Sequence, residues 1–590
     1  MKQILSIILK TLLFLLSFIV IELNHNMAAG FILTLLLILA YVYLDRKIFN
    51  GHKLLTGFLL LIAYLAVFTG IVFLTWPPVK NVPAVDISNP AKTEIVETSY
   101  GKIRGVYNAD HTVEVYAGIP YAKPPVGDLR WKEPQDPDKW EDIMEADHFA
   151  PMSMQTTSLP IIDSLTQIIG YHDYKISLRD NYIPPVSEDS LYLNIWKPAN
   201  AGDKLPVLVY IHGGSLQTGQ AWYADYNGEG LAKEGIIVVN LAYRLGVFGF
   251  FANEELAKES IHHTTGNYGL LDMVKALEWV KKEISFFGGD PDNITLAGES
   301  AGSAAVSALC TSPLAEGLFN RVVMESSTMA SIDPPHSYRT YQEAIDSGNR
   351  LKKEYGVSGI DEFRKLSADQ IVAAGGSQHH ITIDGYALIE LPYESYLKRI
   401  HNEEAIFHGY NAKESGPFLL FSKTDRKKYE ERIRYYFKGL SDQVFEVYPT
   451  DSDEDAAKNW AEIYGALYFA YPHYCLNRLA VMNDIPVYEY FFSKDNGRLG
   501  SWHSGEEVYL YHNIPEDSSL YDERDRELSD IMSRHLLSFV KTGDPNAESL
   551  PYWPINEDSK TLMGYGNKIG IVEERSLKLY AILDQLYEWK

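Results

Sequence analysis

A serine set between two glycines is the first group in the sequence that could do chemistry. The stretch Gly298-Glu299-Ser300-Ala301-Gly302 follows the apolar run 294–297 and precedes the small-residue run 303–306. This order predicts a strand, a tight turn and a helix, with the hydroxyl of Ser300 at the tip of the turn. A serine hydroxyl is a poor nucleophile by itself. The chain must therefore also supply a base, a group that orients the base, and donors for an oxyanion.

Alternating apolar segments indicate the fold that would position these groups. The runs 205–211 and 236–241 are continuously apolar, as expected for parallel strands buried on both faces. The segment 267–287 has a helical period and leads directly to the strand before Ser300. Strands and helices in alternation predict an α/β fold with a mostly parallel central sheet and right-handed crossovers.

Several longer motifs carry a resemblance to a known family. They lie at 118–131, 188–194, 288–291 and 543–546. With these motifs the sequence resembles the type B carboxylesterase family, the cholinesterase-like branch of the α/β-hydrolases, over residues 95–590. Ser153 and Ser190 stand where this family commonly has a disulfide, and the loss of both halves is similar to the bacterial, para-nitrobenzyl-esterase-like branch.

The resemblance implies an α/β-hydrolase fold and a serine carboxylesterase with a Ser-His-Glu triad, an acyl-enzyme intermediate and no metal or cofactor. Ser300 would be the nucleophile. His503 in the pattern G-x-x-H-x-x-E would be the base, and Glu414 in the pattern G-x-N-x-x-E would be the orienting acid. Their chain order, Ser, acid, His, is that of the fold. Asp384 is the reserve candidate for the acid, whereas His512 and His535 lack the motif of the base.

Backbone donors for an oxyanion are expected after the strand 205–211. His212-Gly213-Gly214-Ser215 follows that strand, and a donor of this kind typically lowers a barrier by ~3–4 kcal/mol. By resemblance, the donors are the N–H groups of Gly214, Ser215 and Ala301. Other positions implied by resemblance are Glu299 and Ser326, near the histidine and Glu414, and an ion pair between Arg130 and Glu188.

The first 76 residues are unlike the rest of the chain. Apolar runs at about 4–23, 27–44 and 54–76 come close to the ~20 residues that cross a bilayer. We expect a transmembrane anchor over 1–76, a linker over 77–94 and the esterase domain over 95–590. The first run could instead be a cleaved signal peptide.

Basic residues predict the orientation of this anchor. Arg46, Lys47 and Lys53 lie in the loop between the second and third runs, and Lys2 precedes the first run. The positive-inside rule then places the N-terminus and this loop in the cytoplasm, and everything after Pro77 on the outer face. The sequence thus predicts a multi-pass protein of the cell membrane.

Composition excludes some partners. The net charge is −25, and the region before the esterase domain is slightly basic, so the domain itself is strongly acidic and disfavours nucleic acid and anionic lipid. The two cysteines, Cys310 and Cys475, are expected to be buried free thiols. The sequence has no CxxC or HExxH metal spacing, and it points to a small-molecule ester as partner without naming a protein partner.

The sequence leaves alternatives for the substrate site and for the role of the whole chain. The segment 155–186 could be a mobile lid or a packed surface loop. Where cholinesterases have the tryptophan that holds choline, this chain has Asp180, so no choline preference is expected unless Trp222 or Tyr223 supplies the aromatic face. The alternatives to an enzyme are a cholinesterase-like adhesion module without turnover and a ligand-sensing role for the N-terminal helices.

Overall fold

The computed structural model describes residues 2–24, 26–48, 54–76, 84–85, 90–156, 185–199, 201–332, 338–372, 380–495, 501–515 and 521–589. The chain divides into two compact units, one formed by Met1–Val82 with Thr157–Pro185 and the other by Pro83–Thr156 with Val186–Lys590. Most of the segment 155–186, for which a lid or a loop was predicted, lies outside the described residues, as does Asp180.

In its described part, the N-terminal unit has the helices α1 Lys2–Leu23, α2 Ala28–Ile48 and α3 Leu54–Leu74. Among the described residues, two stretches are long and apolar enough to cross a membrane, Ala29–Lys47 and Thr56–Leu74, and only 22% and 17% of these stretches are buried. The first expected span, at about 4–23, is not one of these two stretches. It forms α1, but Lys10 and Glu22 place charged groups inside that helix, which makes it a poorer spanning segment.

The second unit is built on strands and helices that alternate along most of the chain. The strands are β1 Lys92–Glu97, β2 Lys102–Tyr107, β3 Val113–Pro120, β4 Met144–Glu145, β5 Met152–Ser153, β6 Val186–Ser187, β7 Tyr192–Pro198, β8 Leu205–Ile211, β9 Ile237–Leu241, β10 Gly289–Glu299, β11 Arg321–Glu325, β12 Tyr338–Thr340, β13 Ile381–Ile383, β14 Ala405–Asn411, β15 Val487–Phe492, β16 Thr561–Tyr565 and β17 Ile569–Glu573.

The helices of this unit lie between and after these strands. They are α4 Glu229–Lys233, α5 Gly246–Phe250, α6 Glu254–Glu259, α7 Tyr268–Glu283, α8 Ala301–Thr311, α9 Tyr341–Glu354, α10 Ile360–Arg364, α11 Ala368–Val372, α12 Pro392–Leu397, α13 Gly416–Leu419, α14 Arg426–Phe437, α15 Ser441–Val447, α16 Asp453–Gly465, α17 Tyr471–Met482, α18 Glu507–Leu510, α19 Glu523–Thr542 and α20 Leu577–Leu586.

A large mixed sheet runs through the unit in the order β1-β2-β3-β7-β9-β8-β10-β11-β14-β15-β16-β17. Its centre, from β9 to β16, is parallel, whereas β7 and β17 pair antiparallel at either side of this block. The mostly parallel sheet predicted from the sequence is therefore confirmed.

Burial explains why these segments became central strands. Every residue of β9, β14 and β15 is buried, because helices cover both faces of a parallel sheet. The predicted helix 267–287 forms as α7 and ends in a short 3₁₀ turn at Ile284–Phe287. Cys310 and Cys475 are both free and buried, as expected.

The carboxyl ends of the parallel strands meet at one edge of the sheet, where α/β proteins commonly bind ligands. Ser300 follows β10, the loop 212–219 follows β8, and Ser326 follows β11. Glu414 and His503 come after β14 and β15. The predicted site residues therefore follow neighbouring strands.

Candidate active site

Ser300 occupies the sharp turn between β10 and α8. Its φ of 51° and ψ of −121° lie in a region that side chains rarely adopt, so the backbone is strained there. Small neighbours make the turn possible: a Cβ on Gly298 would lie 2.6 Å from the carbonyl carbon of Gly302, and one on Gly302 would overlap the carbonyl oxygen of Ile211. The strand, turn and helix predicted around the serine are all present.

The structure brings Ser300, His503 and Glu414 into one hydrogen-bonded chain. Nε2 of His503 lies 2.8 Å from Oγ of Ser300, and Nδ1 of His503 lies 2.6 Å from Oε2 of Glu414. The other oxygen of Glu414 accepts a 2.7 Å hydrogen bond from the N–H of Asn411, which fixes the carboxylate. This is the arrangement in which a histidine can take the proton of a serine hydroxyl.

The surroundings of His503 favour its protonated form. Burial by itself would lower the pKa of this imidazole, but the nearby carboxylates of Glu299, Glu414 and Glu506 outweigh burial and raise the pKa to about 9. Oε1 of Glu299 lies 3.3 Å from Nε2 of His503. These carboxylates would therefore stabilise an imidazolium ion formed when the serine gives up its proton.

Glu299 and Ser326, the two supporting groups expected near the histidine and Glu414, each make a hydrogen bond in the structure. Glu299 contacts His503 and accepts a 2.7 Å hydrogen bond from the hydroxyl of Ser504. Ser326 donates a 2.9 Å hydrogen bond to Oε1 of Glu506, a carboxylate whose charge acts on His503. Ser326 can therefore influence the histidine through the carboxylate of Glu506.

Glu506 is a buried residue whose place the sequence analysis missed. It accepts from Ser326, from the amide of Asn411 and, at 3.1 Å, from the hydroxyl of Tyr490. Burial and the repulsion of Glu414 and Glu299 raise its pKa to about 7. The signal was present, because Glu506 is the last residue of the histidine motif.

Two further buried carboxyl groups lie behind the site. Tyr511 donates a 2.6 Å hydrogen bond to Oε1 of Glu325, and Tyr210 donates to Glu507. Burial raises the pKa of both carboxyl groups well above the usual range. The charges of Glu506 and Glu299 add to the effect at Glu325, and the charges of Glu299 and Glu325 add to it at Glu507. Burial therefore favours the neutral form of both carboxyl groups.

The loop after β8 carries the predicted oxyanion donors. Gly214 has a φ of 102° and Ser215 a φ of 57°, so the backbone turns through left-handed conformations there. Ser215 is exposed, whereas Ala301 is buried at the start of α8, where the first N–H groups of a helix have no partner within the helix. The predicted donors thus lie in a tight loop and at a helix N-terminus.

Asp384, the reserve candidate for the acid, and His535 have hydrogen-bond partners outside the Ser300–His503–Glu414 chain. Oδ1 of Asp384 accepts backbone hydrogen bonds from the three residues 386–388, and Oδ2 accepts from Thr264. His535 is held between Tyr565 and the carbonyl of Pro551, and burial lowers its pKa to about 4. These are structural roles, as expected for His535.

His512 lines an open cleft of about 510 Å³ on the second unit. The other residues of this cleft include Lys233 and Arg526 and none of the residues of the hydrogen-bonded chain.

The ion pair expected from the sequence is present, because Arg130 donates to Glu188 through Nε at 2.6 Å and through Nη2 at 2.5 Å.

Comparison with known proteins identifies the family. Residues 92–576 match the carboxylesterase family. Fumonisin B1 esterase of Sphingopyxis macrogoltabida is 30% identical over 542 residues, covering 86% of this chain and 93% of that protein. A carboxylesterase structure from Geobacillus stearothermophilus superposes with a TM-score of 0.71 at 30% identity, covering 83% of this chain and all of that one.

A structure of PNB esterase is also similar, with a TM-score of 0.70, 27% identity and coverage of 83% of this chain and 99% of that one. These neighbours share the α/β-hydrolase fold that the resemblance implied. The site geometry and the matches to known proteins both indicate ester hydrolysis. The chain belongs to the carboxylesterase family, and the protein is a carboxylic ester hydrolase.

Proposed function

We propose that the protein hydrolyses carboxylic esters through Ser300, His503 and Glu414. In the first half of the reaction, Nε2 of His503 takes the proton of the Ser300 hydroxyl as the oxygen attacks the ester carbonyl carbon. Glu414 holds the imidazole in the tautomer that has its proton on Nδ1 and stabilises the imidazolium ion. His503 then gives its proton to the leaving alcohol, which produces the acyl-enzyme.

Water completes the reaction. His503 removes a proton from water, the hydroxide attacks the acyl group on Ser300, and the serine leaves with a proton returned by the histidine. During both halves the carbonyl oxygen becomes negative, and the N–H groups of Gly214, Ser215 and Ala301 would stabilise that charge. Because only the backbone of Ser215 donates, a serine can replace the more common glycine.

The single observation that carries this proposal is the hydrogen-bonded chain from Oγ of Ser300 through His503 to Glu414, with distances of 2.8 Å and 2.6 Å. A binding module without turnover would have no need for a strained serine and a buried histidine in this arrangement. The alternative of an adhesion protein therefore has no support.

A burst experiment tests the acyl-enzyme. We expect p-nitrophenyl acetate to release p-nitrophenol in a rapid first phase whose amplitude equals the concentration of active sites, followed by slower steady turnover, whenever deacylation limits the rate. If the first phase is absent, single-turnover trapping of the acetylated enzyme by acid quench gives the second measurement. Turnover with no acetylated protein at any time would contradict a covalent intermediate.

Neutral esters are the proposed substrate class. The aromatic residues that could have held choline have other partners, since Trp222 stacks on Phe149 at 5.4 Å and Tyr223 packs against Tyr226 at 5.8 Å. A quaternary ammonium ion gains most from a desolvated aromatic face. We therefore propose no preference for choline esters.

We also propose that the N-terminal unit anchors the enzyme in a membrane by all three helices. Outward-facing residues of α1–α3 are large and apolar; they include Ile7, Leu9, Leu15, Leu36, Leu39, Phe58 and Phe73. A soluble protein rarely exposes so large an apolar surface. Hydrocarbon around the bundle would cover it.

Polar contacts support the retention of α1 as part of this anchor. The hydroxyls of Ser17 and Tyr64 are 2.8 Å apart, Lys10 pairs with Asp45, and Phe14 packs against Tyr64 at 5.9 Å. Cleavage of α1 would leave the hydroxyl of Tyr64 and the carboxylate of Asp45 without these partners in a poor solvent for polar groups. We propose that α1 is retained.

The proposed orientation can be tested with cysteines. Replacing Asn50 by Cys in the basic loop should give a protein that resists membrane-impermeant thiol reagents in intact cells and reacts after permeabilisation. Ile261→Cys, at a residue that is 81% exposed in the enzyme unit, should react in intact cells. The native cysteines are buried and give little background. Labelling at residue 50 in sealed cells would reverse the orientation.

A further inference from the structure

Gln155 is joined to the loop that carries the proposed oxyanion donors. Its Nε2 donates to the carbonyl of Gly219 at 2.8 Å, and its Oε1 accepts from the N–H of the same glycine at 2.9 Å. Nε2 also donates to the carbonyl of Ser153 at 3.0 Å. A primary amide is the side-chain group that offers a donor and an acceptor side by side, so it can satisfy both backbone groups of one residue.

Gly219 is packed against the beginning of the same loop. Its φ is 112°, and a Cβ at this position would overlap Nδ1 of His212 and lie 2.7 Å from the carbonyl oxygen of Gly213. The two ends of the loop 212–219 therefore touch. A shift of Gly219 would move Gly213, which is next to the proposed donor Gly214.

Three other contacts hold the loop 212–219 in place. His212 stacks on Tyr243 at 4.6 Å, and the hydroxyl of Tyr243 donates to the carbonyl of His212 at 2.9 Å. In the middle, the N–H of Gly246 donates to the carbonyl of Leu216 at 2.7 Å. Gln155 supplies the side-chain contact at the far end.

Gln155 is itself held firmly. It is 8% exposed, and it lies two residues after β5, which pairs with β6. The hydroxyl of Ser153 donates to the carbonyl of Tyr243 at 2.7 Å, and its oxygen lies 3.0 Å from Oγ of Ser190. Ser153 accepts a hydrogen bond from Gln155 and donates one to Tyr243, whose ring stacks on His212. It therefore connects the two residues that contact the ends of the loop.

We infer that Gln155 is a positioning residue for ester hydrolysis, whose amide fixes Gly219 and thereby aims the backbone donors of the loop 212–219 at the developing oxyanion. The inference rests on the proposed function. Oxyanion donors act only when they are correctly placed before the reaction begins, and displacement by about 1 Å can cost ~100-fold in rate. The effect should therefore fall on the transition state rather than on binding of the ester.

The test compares two variants at Gln155 with a matched control. Gln155→Ala and Gln155→Met remove the amide, and the second keeps most of the side-chain volume. Asn267→Ala is the control, because the amide of Asn267 makes the same paired contacts with the backbone of Thr382, at 2.7 Å and 2.8 Å, and is also buried. Active sites are counted by organophosphate titration, so that loss of folded protein does not enter the rates.

We expect both Gln155 variants to lose about tenfold or more in kcat per active site toward p-nitrophenyl acetate, with little change in KM. The inhibition constant of a trifluoromethyl ketone, whose adduct with the serine carries an oxyanion, should rise by a similar factor. Asn267→Ala should keep both values per active site. Equal loss in the control, or an unchanged inhibition constant in both Gln155 variants, would overturn the inference. Reaction of Ser300 with the organophosphate in every variant would show that the proposed nucleophile is intact. A failure of the inference about Gln155 can then be distinguished from a failure of the proposed function.

Discussion

Ser300→Ala should lower kcat for p-nitrophenyl acetate by about a million-fold and abolish reaction with organophosphates. Its hydroxyl oxygen lies 2.8 Å from Nε2 of His503, and without it the histidine has no serine nucleophile to activate. The exchange removes a single oxygen from a half-buried position, so thermal unfolding should change little.

A second serine provides the control for this exchange. Ser285→Ala lies at an exposed position of the same unit and should leave turnover and labelling as they are. Retention of ester hydrolysis in Ser300→Ala, measured in a preparation free of host esterases, would assign the nucleophile to another residue.

Glu414→Gln should lower kcat by about ten-thousand-fold, the order of loss that follows when the orienting carboxylate of such a triad becomes an amide. Glutamine can donate to Nδ1 and would hold His503 in the wrong tautomer, and it cannot stabilise the imidazolium ion. Asp384→Asn is the matched exchange at the reserve candidate, and it should affect stability rather than kcat. A small loss in Glu414→Gln with a large loss in Asp384→Asn would move the role to Asp384.

The same variant should also change the pH dependence. His503 must be neutral to accept the serine proton, so kcat/KM falls as the pH drops below the pKa of this residue, which the carboxylates around it raise to about 9. Removing a carboxylate lowers that pKa, and the acid limb of the residual activity of Glu414→Gln should move to lower pH. Glu506→Gln should move it in the same direction with a smaller loss of kcat, because the contact between Glu414 and His503 remains.

Those parts of the fold that depend on local patterns were predictable. Continuous apolar runs became buried parallel strands, as at β8 and β9, because such strands are covered on both faces. The glycines around Ser300 predicted the turn, because the close approach of Gly302 to Ile211 leaves no space for a Cβ. The motifs around His503 and Glu414 identified the two candidates that join Ser300 in one hydrogen-bonded chain.

Contacts between distant parts of the chain were not predictable from residue spacing. Gln155 and Gly219 are 64 positions apart, and nothing in either neighbourhood indicates that an amide will meet that glycine. The hydrogen bond from Ser326 to Glu506 likewise joins residues that are 180 positions apart. A glutamate in a sequence is most often a solvated surface group, so the burial of Glu325 and Glu507 depends on packing that only the folded chain shows.

The position of a covalent organophosphate adduct on the native enzyme tests the central claim most directly. The labelled protein is digested with trypsin, and the modified residue is located by tandem mass spectrometry. We predict one adduct per molecule, on Ser300 within the tryptic peptide 283–321, with loss of esterase activity in proportion to labelling. An adduct on any other residue, or full activity in protein fully labelled at Ser300, would contradict the account.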